Sequence, residues 1–151
     1  MKRMGLEIGF LATLLFAGPA AAGEAEERAI TAILKLGGKI RYDEEQVGRP
    51  VIFVSLDRTK VSDADLQSIA ALKQVRWLML NQTEITDVGL RELATLKQLR
   101  ALFLRSTKVT DVGLKELAPL RQLQMLDLTH TKVSDKGLKD LAALKQLIRC
   151  L

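Results

Sequence analysis

A unit of 24 residues repeats along the second part of the chain and constrains its fold more than any other feature. Residues 75–98, 99–122 and 123–146 carry the same pattern in register, and residues 51–74 carry a looser copy. A partial fifth copy begins at residue 147. A unit this short cannot bury its own apolar face, so it must share a core with its stacked neighbours. The pattern therefore predicts a solenoid.

Each unit has the pattern of a strand followed by a short helix, with positions counted from its first residue. Apolar residues occupy positions 1, 4 and 6, and this alternation is typical of a strand with one buried face. Position 12 is Ser or Thr and position 13 is Asp. This pair indicates a helix start, because the hydroxyl caps free N–H groups and the carboxylate faces the positive end of the helix dipole.

Two further positions repeat. Position 9 is always Thr, and we expect these hydroxyls to bond to one another and to the loop backbone. Position 15 is Gly in three units, at Gly89, Gly113 and Gly137. Because Gly weakens a helix, it predicts a close approach of the neighbouring unit. The first unit has Asp65 instead, and Ser62-x-x-Asp65 is close to a capping box.

The pattern L-x-x-L-x-L-x-x-T-x-(I/V)-(T/S)-D-x-G-L resembles a leucine-rich repeat, over residues 51–151. It is most similar to the T-D-x-G-L variety of many secreted bacterial repeat proteins. It is also similar to the cysteine-containing repeats of F-box substrate receptors, although Thr stands where those carry Cys or Asn. The resemblance implies an α/β leucine-rich repeat solenoid, a short right-handed horseshoe with a parallel sheet on its concave face and short helices on its convex face. It also implies binding of proteins or other ligands through the sheet.

Residues 1–22 have the pattern of a secretory signal peptide. Lys2 and Arg3 precede an apolar run over residues 8–17, and the small residues 20–22 resemble a cleavage site. We expect cleavage before Gly23 and export to the periplasm, the cell envelope or the exterior, with no stable membrane span afterwards. The alternative is an uncleaved anchor, although the run is shorter than the ~20 residues of a membrane-spanning helix.

Residues 23–50 are predicted to form an N-terminal helical cap. The pattern indicates a helix over residues 24–36, ended by Gly37 and Gly38, and a strand over Lys39–Tyr42. Solenoids need an atypical unit over the first core layer, and such flanks commonly serve that purpose. The alternative is a separate peptide-binding helix.

The last layer has no such cover in the sequence pattern. We expect Leu141, Leu144 and Leu147 to be exposed beside an open strand edge, which invites pairing with a second copy. Cys150 is the only cysteine. It either joins two chains by a disulfide or fills a leucine slot as a small buried residue.

Charge and composition argue against several function classes. The chain has 23 basic and 18 acidic residues, and without residues 1–22 it has 21 and 17. Lys73, Lys97, Arg121 and Lys145 recur at position 23, where like charges are typical of a solvated edge. No nucleic-acid-binding module is recognisable in the sequence, and we expect no nucleic-acid partner for an exported protein.

Neither catalysis nor metal binding is predicted. His130 is the only histidine and lies at a loop position, so no catalytic triad or histidine metal site can be assembled. The aspartates at position 13 would stack at the ~4.8 Å spacing of strands, which suggests a calcium site as an alternative. The simpler interpretation is that each aspartate serves its own helix start. We expect no cofactor and no enzyme activity.

The candidate binding site lies on the outward positions of the strands. If positions 4 and 6 point into the core, positions 3 and 5 point to the concave surface. These positions bring together two phenylalanines, the single tryptophan and two methionines: Phe53, Trp77, Met79, Phe103 and Met125. Arg76, Arg100 and Arg105 flank them as a polar rim. Such patches mark binding sites for a protein or peptide, unless another part of the chain covers them.

Three other functions remain as alternatives. The first is a structural protein that self-associates as a homodimer through its last layer. The second is an accessory to a hydrolase of the envelope, although the repeats offer no acid, base or nucleophile set. The third is a substrate receptor of the F-box kind, which the signal peptide and the absence of an F-box segment in the sequence argue against.

Overall fold

A computed structural model describes the backbone of residues 20–150 and the side chains of residues 23–149. The signal segment predicted at residues 1–22 lies almost wholly outside the described residues. The helices are α1 (Ala20–Lys35), α2 (Asp63–Ile69), α3 (Asp87–Leu93), α4 (Asp111–Leu114) and α5 (Asp135–Leu138). The strands are β1 (Lys39–Tyr42), β2 (Val51–Ser55), β3 (Trp77–Met79), β4 (Ala101–Phe103), β5 (Met125–Asp127) and β6 (Arg149–Cys150). Short 3₁₀ helices follow α4 and α5, at Lys115–Leu117 and Lys139–Ala143.

All six strands form one sheet in chain order. Strands β2 to β6 are parallel, and each residue lies opposite the residue at the same position of the next unit, as Phe53 lies opposite Trp77. Strand β1 is antiparallel to β2, where the sequence predicted a strand. The α/β leucine-rich repeat solenoid predicted from the sequence is confirmed.

One apolar core runs between the sheet and the helices. The inward residues of the strands, Val54, Leu78, Leu102 and Leu126, form a fully buried row. Helix α1 adds Ala29 and Ile33 to the same core. This packing supports the proposal that residues 23–50 cover the first layer.

Successive units are joined by the aspartate at position 13, in a way that the sequence did not predict. The Asp87 carboxylate accepts hydrogen bonds from the N–H and the hydroxyl of Thr110, at 2.8 and 2.6 Å. Asp63 binds Thr86 and Asp111 binds Ser134 in the same way. Each aspartate does lie in the first turn of its own helix, as expected, and the bond to the next unit is a second role. The residue that it holds is the N-cap of the next helix.

The glycine at position 15 makes room for this joint. A Cβ atom at Gly89, Gly113 or Gly137 would collide with the carboxylate of the preceding unit's aspartate. The predicted close approach of neighbouring units is confirmed. No repeat unit with a position 13 aspartate precedes the first unit, and there Asp65 stands at position 15. Its carboxylate accepts the N–H and the hydroxyl of Ser62 at 2.8 and 2.7 Å, so the unit supplies its own acceptor.

The threonines at position 9 bond within their own units. Each hydroxyl donates to the carbonyl oxygen three residues earlier, at 2.6 to 2.7 Å. The predicted bonding to the loop backbone is therefore confirmed. The predicted bonding of these threonines to one another is not, because the described residues contain no hydrogen bond between them.

The last layer is better covered than the sequence predicted. Leu141 and Leu144 are buried, at 6% and 4% exposure, and Leu147 is half-buried against the same core. The expectation that they would be exposed was wrong. The 3₁₀ helix and the turn after it pack these leucines against the core of the preceding unit. Within residues 20–150, no helix has both the length and the apolar character needed to span a bilayer.

Candidate functional site

The outward positions of the parallel strands form two rows across the sheet. Position 3 contributes Phe53, Trp77, Ala101 and Met125, which are paired in register. Position 5 contributes Ser55, Met79, Phe103 and Asp127. Between the rows, the position 4 residues point to the core and are buried. Side chains alternate across a strand, so both rows lie on the face of the sheet away from the core.

The five apolar residues predicted to bind a partner lie together on this face. We call them the outer-face cluster: Phe53, Trp77, Met79, Phe103 and Met125. Met125 is exposed, whereas the other four are half-buried. The sequence predicted a more open patch. Large side chains on neighbouring strands shield one another, and Ala101, which lies between Trp77 and Met125 in its row, has no exposed surface.

The three predicted rim arginines differ in their surroundings. Arg100 and Arg105 are exposed. Arg76 is half-buried and forms an ion pair with Asp43 at 3.2 Å, where the two side chains are 27% and 17% exposed. This ion pair joins the N-terminal segment to the repeats, so the Arg76 side chain already has a charged partner within the chain.

A cation that sequence reasoning missed lies at the edge of the cluster. The Arg41 guanidinium carbon is 5.3 Å from the centroid of the Phe53 ring, a cation–π distance. Arg41 belongs to β1 and lies opposite Phe53 in the antiparallel register. The repeat pattern gives no such signal, because β1 lies outside the repeats and its partner strand cannot be deduced from them.

A polar cleft of about 420 Å³ opens where β2, β3 and β4 end. It is lined by Gly37, Lys39, Ser55, Asp57, Arg58, Asn81, Gln82 and Arg105. The lining joins the turn before β1 to positions 7 and 8 of the repeats. At position 8 the backbone is left-handed in Arg58, Gln82, Ser106 and His130, with φ of 55 to 59°. We call this feature the basic cleft, since it holds three cationic side chains and one carboxylate.

The remaining candidate residues are either exposed to solvent or bonded within the chain. His130 is an exposed residue of a position 8 turn. Lys73, Lys97, Arg121 and Lys145 are all exposed, as a solvated edge requires. In the part of the chain with described side chains, no three His, Cys, Asp or Glu residues are grouped as a metal site. The aspartates considered for calcium have both oxygens bonded to donors in three of four units. The side chain of Cys150 lies outside the described residues.

Comparisons with known proteins agree with this architecture. Residues 73–133 match the family model described as "Leucine rich repeat". Among solved structures, internalin C2 from Listeria monocytogenes is similar, with 26% identity and a TM-score of 0.54 over 64% of this chain and 39% of that one. Internalin F from the same organism has 20% identity and a TM-score of 0.48, over 66% of this chain and 34% of that one.

The ectodomain of the receptor kinase SOBIR1 from Arabidopsis thaliana has 16% identity and a TM-score of 0.48, over 82% of this chain and 76% of that one. No curated protein sequence matches this chain significantly. The chain thus spans less than half the length of either internalin.

Proposed function

We propose that this chain, whose residues 73–133 match the leucine-rich repeat model, is a non-catalytic module that binds a protein or peptide through the outer face of its sheet. The observation that carries the proposal is the outer-face cluster. Stacking of the units explains the buried positions, but it does not require Trp, Met or Phe at positions 3 and 5. Large apolar side chains in contact with solvent on adjacent strands are typical of binding surfaces.

The size of the cluster bears on the extent of the interface. A stable protein interface buries about 800 Å² on each partner, whereas a fully buried aromatic side chain contributes about 150–250 Å². Four of the five cluster residues are already half-buried. The cluster alone is therefore too small to form a whole interface. We place it at the centre of the proposed interface, with the exposed Arg100 and Arg105 at the rim.

The proposal is tested with a double variant and a matched control. Trp77→Ala with Phe103→Ala removes the centre of the cluster. Val88→Ala with Val112→Ala removes two apolar side chains from the helical side, where they are 60% and 69% exposed. Partners captured by the wild-type protein are purified and titrated against all three proteins.

We expect the affinity to fall at least tenfold for the cluster variant, since central aromatic residues contribute most to binding energy, and to stay unchanged for the control. Equal affinity of the wild type and the cluster variant would refute the proposal.

We also propose that the protein is exported and acts in the envelope or outside the cell. The charge and apolar pattern of residues 1–22 supports this, as does the likeness to a repeat protein of a bacterium. Mass spectrometry of the protein recovered from fractionated cells tests it. We expect a first residue of Gly23, and recovery of the intact chain from the cytoplasm alone would contradict export.

Self-association through the last layer has less support than the sequence suggested, because Leu141 and Leu144 are buried. Sedimentation with and without reductant distinguishes the two functions. A monomer in both conditions, which binds its partner, is the result that the binding proposal predicts.

A further inference from the structure

The basic cleft contains cations without acidic partners. Among the described residues, no carboxylate lies within ion-pair distance of Lys39, Arg58 or Arg105. The single acid of the cleft, Asp57, accepts the N–H of Asn81 at 2.8 Å. The cleft therefore has an excess of positive charge that the chain does not neutralise.

Hydrogen bonds fix the cleft wall. The Arg58 Nε donates to the Gln82 side-chain oxygen at 2.8 Å, which holds the guanidinium while its terminal nitrogens stay available. The Asn81 side-chain oxygen accepts the N–H of Arg105 at 3.0 Å. Each bond joins one unit to the next, so the stacking of the repeats positions the Arg58 guanidinium and the backbone that carries Arg105. A guanidinium binds a carboxylate with two parallel hydrogen bonds when its nitrogens are free.

The basic cleft is continuous with the outer-face cluster. Ser55 lines the cleft and pairs with Lys39 on one side and Met79 on the other. Phe103 follows Met79 in the same row. From Lys39, Met79 is two strand spacings away and Phe103 is three, or about 10 and 14 Å at ~4.8 Å each.

We infer that the basic cleft takes a carboxylate of the peptide whose apolar side chains lie on the outer-face cluster. The inference rests on the proposed function and specifies its ligand. An extended peptide spans about 3.3 Å per residue, so a carboxylate beside Lys39 follows or precedes the side chains that contact Met79 and Phe103 by three or four residues. The carboxylate belongs either to an Asp or Glu side chain or to the C-terminus of the peptide.

Two random peptide libraries provide the probe. In one, seven-residue peptides have a free C-terminus, and in the other the same length is embedded in a longer chain. Both are selected on the immobilised wild-type protein in low salt. If an acidic side chain supplies the carboxylate, we expect the selected peptides to combine aromatic or aliphatic residues with Asp or Glu three or four positions away. If the C-terminus supplies it, we expect selected peptides from the first library alone.

A charge-matched pair of variants then tests the cleft. The cleft variant carries Lys39→Gln, Arg58→Gln and Arg105→Gln. The control carries Lys97→Gln, Lys115→Gln and Arg121→Gln, three exposed cations away from the cleft. We expect the cleft variant to bind a selected peptide about tenfold more weakly and the control to bind as the wild type does, because only the cleft variant loses the charged donors that face the carboxylate.

The outcomes separate this inference from the proposed function. Selected peptides that bind through Trp77 but lack an acid, or that lose no affinity in the cleft variant, overturn the inference and leave the function standing. Peptides whose binding is insensitive to Trp77→Ala overturn both. Binding of a twelve-residue oligothymidylate as tightly as the selected peptide would also overturn the inference, since a polyanion would then satisfy the cations without apolar contacts.

Discussion

The joint between units and the outer face of the sheet differ in how much they repeat. At the joint, positions 12, 13 and 15 carry Ser or Thr, Asp and Gly in each of the last three complete units. On the outer face, position 3 carries Phe, Trp, Ala and Met in turn, and position 5 carries Ser, Met, Phe and Asp. The repeated residues of the joint have a structural duty, which is the contact between neighbouring units. The outer-face residues have none that repeats, so they are free to specify a partner.

The comparison is tested most strongly by two adjacent residues of β4 that point to opposite faces. Leu102 is fully buried in the core row, and Phe103 belongs to the outer-face cluster. We expect Leu102→Ala to lower the free energy of unfolding by about 3 kcal/mol, because it leaves a cavity. Phe103→Ala should cost less than about 1 kcal/mol while it weakens binding. Urea unfolding measures both, and equal losses would mean that Phe103 is part of the core.

A second prediction concerns the space reserved at the joint. Gly113→Ala places a Cβ against the Asp87 carboxylate, which must move away from Thr110. We expect a loss of about 2 kcal/mol in the free energy of unfolding, as overpacking typically costs 1–3 kcal/mol. The neighbouring Val112 is exposed, and Val112→Ala serves as the control with no expected loss. If Gly113→Ala is as stable as the control, the glycine has no role in stacking.

The smallest expected effect is a pH dependence at the joint. Hydrogen bonds from the hydroxyl and the N–H of Ser134 hold the pKa of the Asp111 carboxyl below its ordinary value. The folded state therefore favours the charged form. The stability that the charged Asp111 carboxylate contributes is fully present above about pH 5. It is lost as the pH falls below about 4, through the lowered folded-state pKa of this carboxyl.

Asp111→Asn removes this titration. We expect the difference in urea midpoint between the wild type and the variant to be larger at pH 7 than at pH 3. Asp135 accepts no hydrogen bond among the described residues, so Asp135→Asn serves as the control and should lower the urea midpoint at pH 7 by less than Asp111→Asn does. A wild type and an Asp111→Asn variant that respond identically to acid would contradict the assigned role of the carboxylate.

The regular part of the fold was predictable because its physics is local. Apolar spacing within one unit identifies the buried face of the strand, and the Thr-Asp pair identifies the helix start. Outward positions follow from the same alternation, so the sequence brings Trp77 and Phe103 to one surface. The register of the parallel strands follows from the 24-residue period, since equal units stack with equal positions opposite.

Contacts between dissimilar segments were not predictable. The pattern of one unit does not show that its aspartate also bonds to the next unit, so the bond from Thr110 to Asp87 was not predicted. The pairing of Arg76 with Asp43 and of Lys39 with Ser55 depends on how the N-terminal segment folds back, which no repeat encodes. The basic cleft was missed for the same reason.

The most direct test of the account uses Trp77, which is the only tryptophan of the chain. Its fluorescence therefore reports on the outer face in the unaltered protein. On titration with a saturating partner or selected peptide, the account predicts a shift of the emission to shorter wavelength and reduced quenching by acrylamide. Saturated binding with unchanged Trp77 emission and quenching would contradict it.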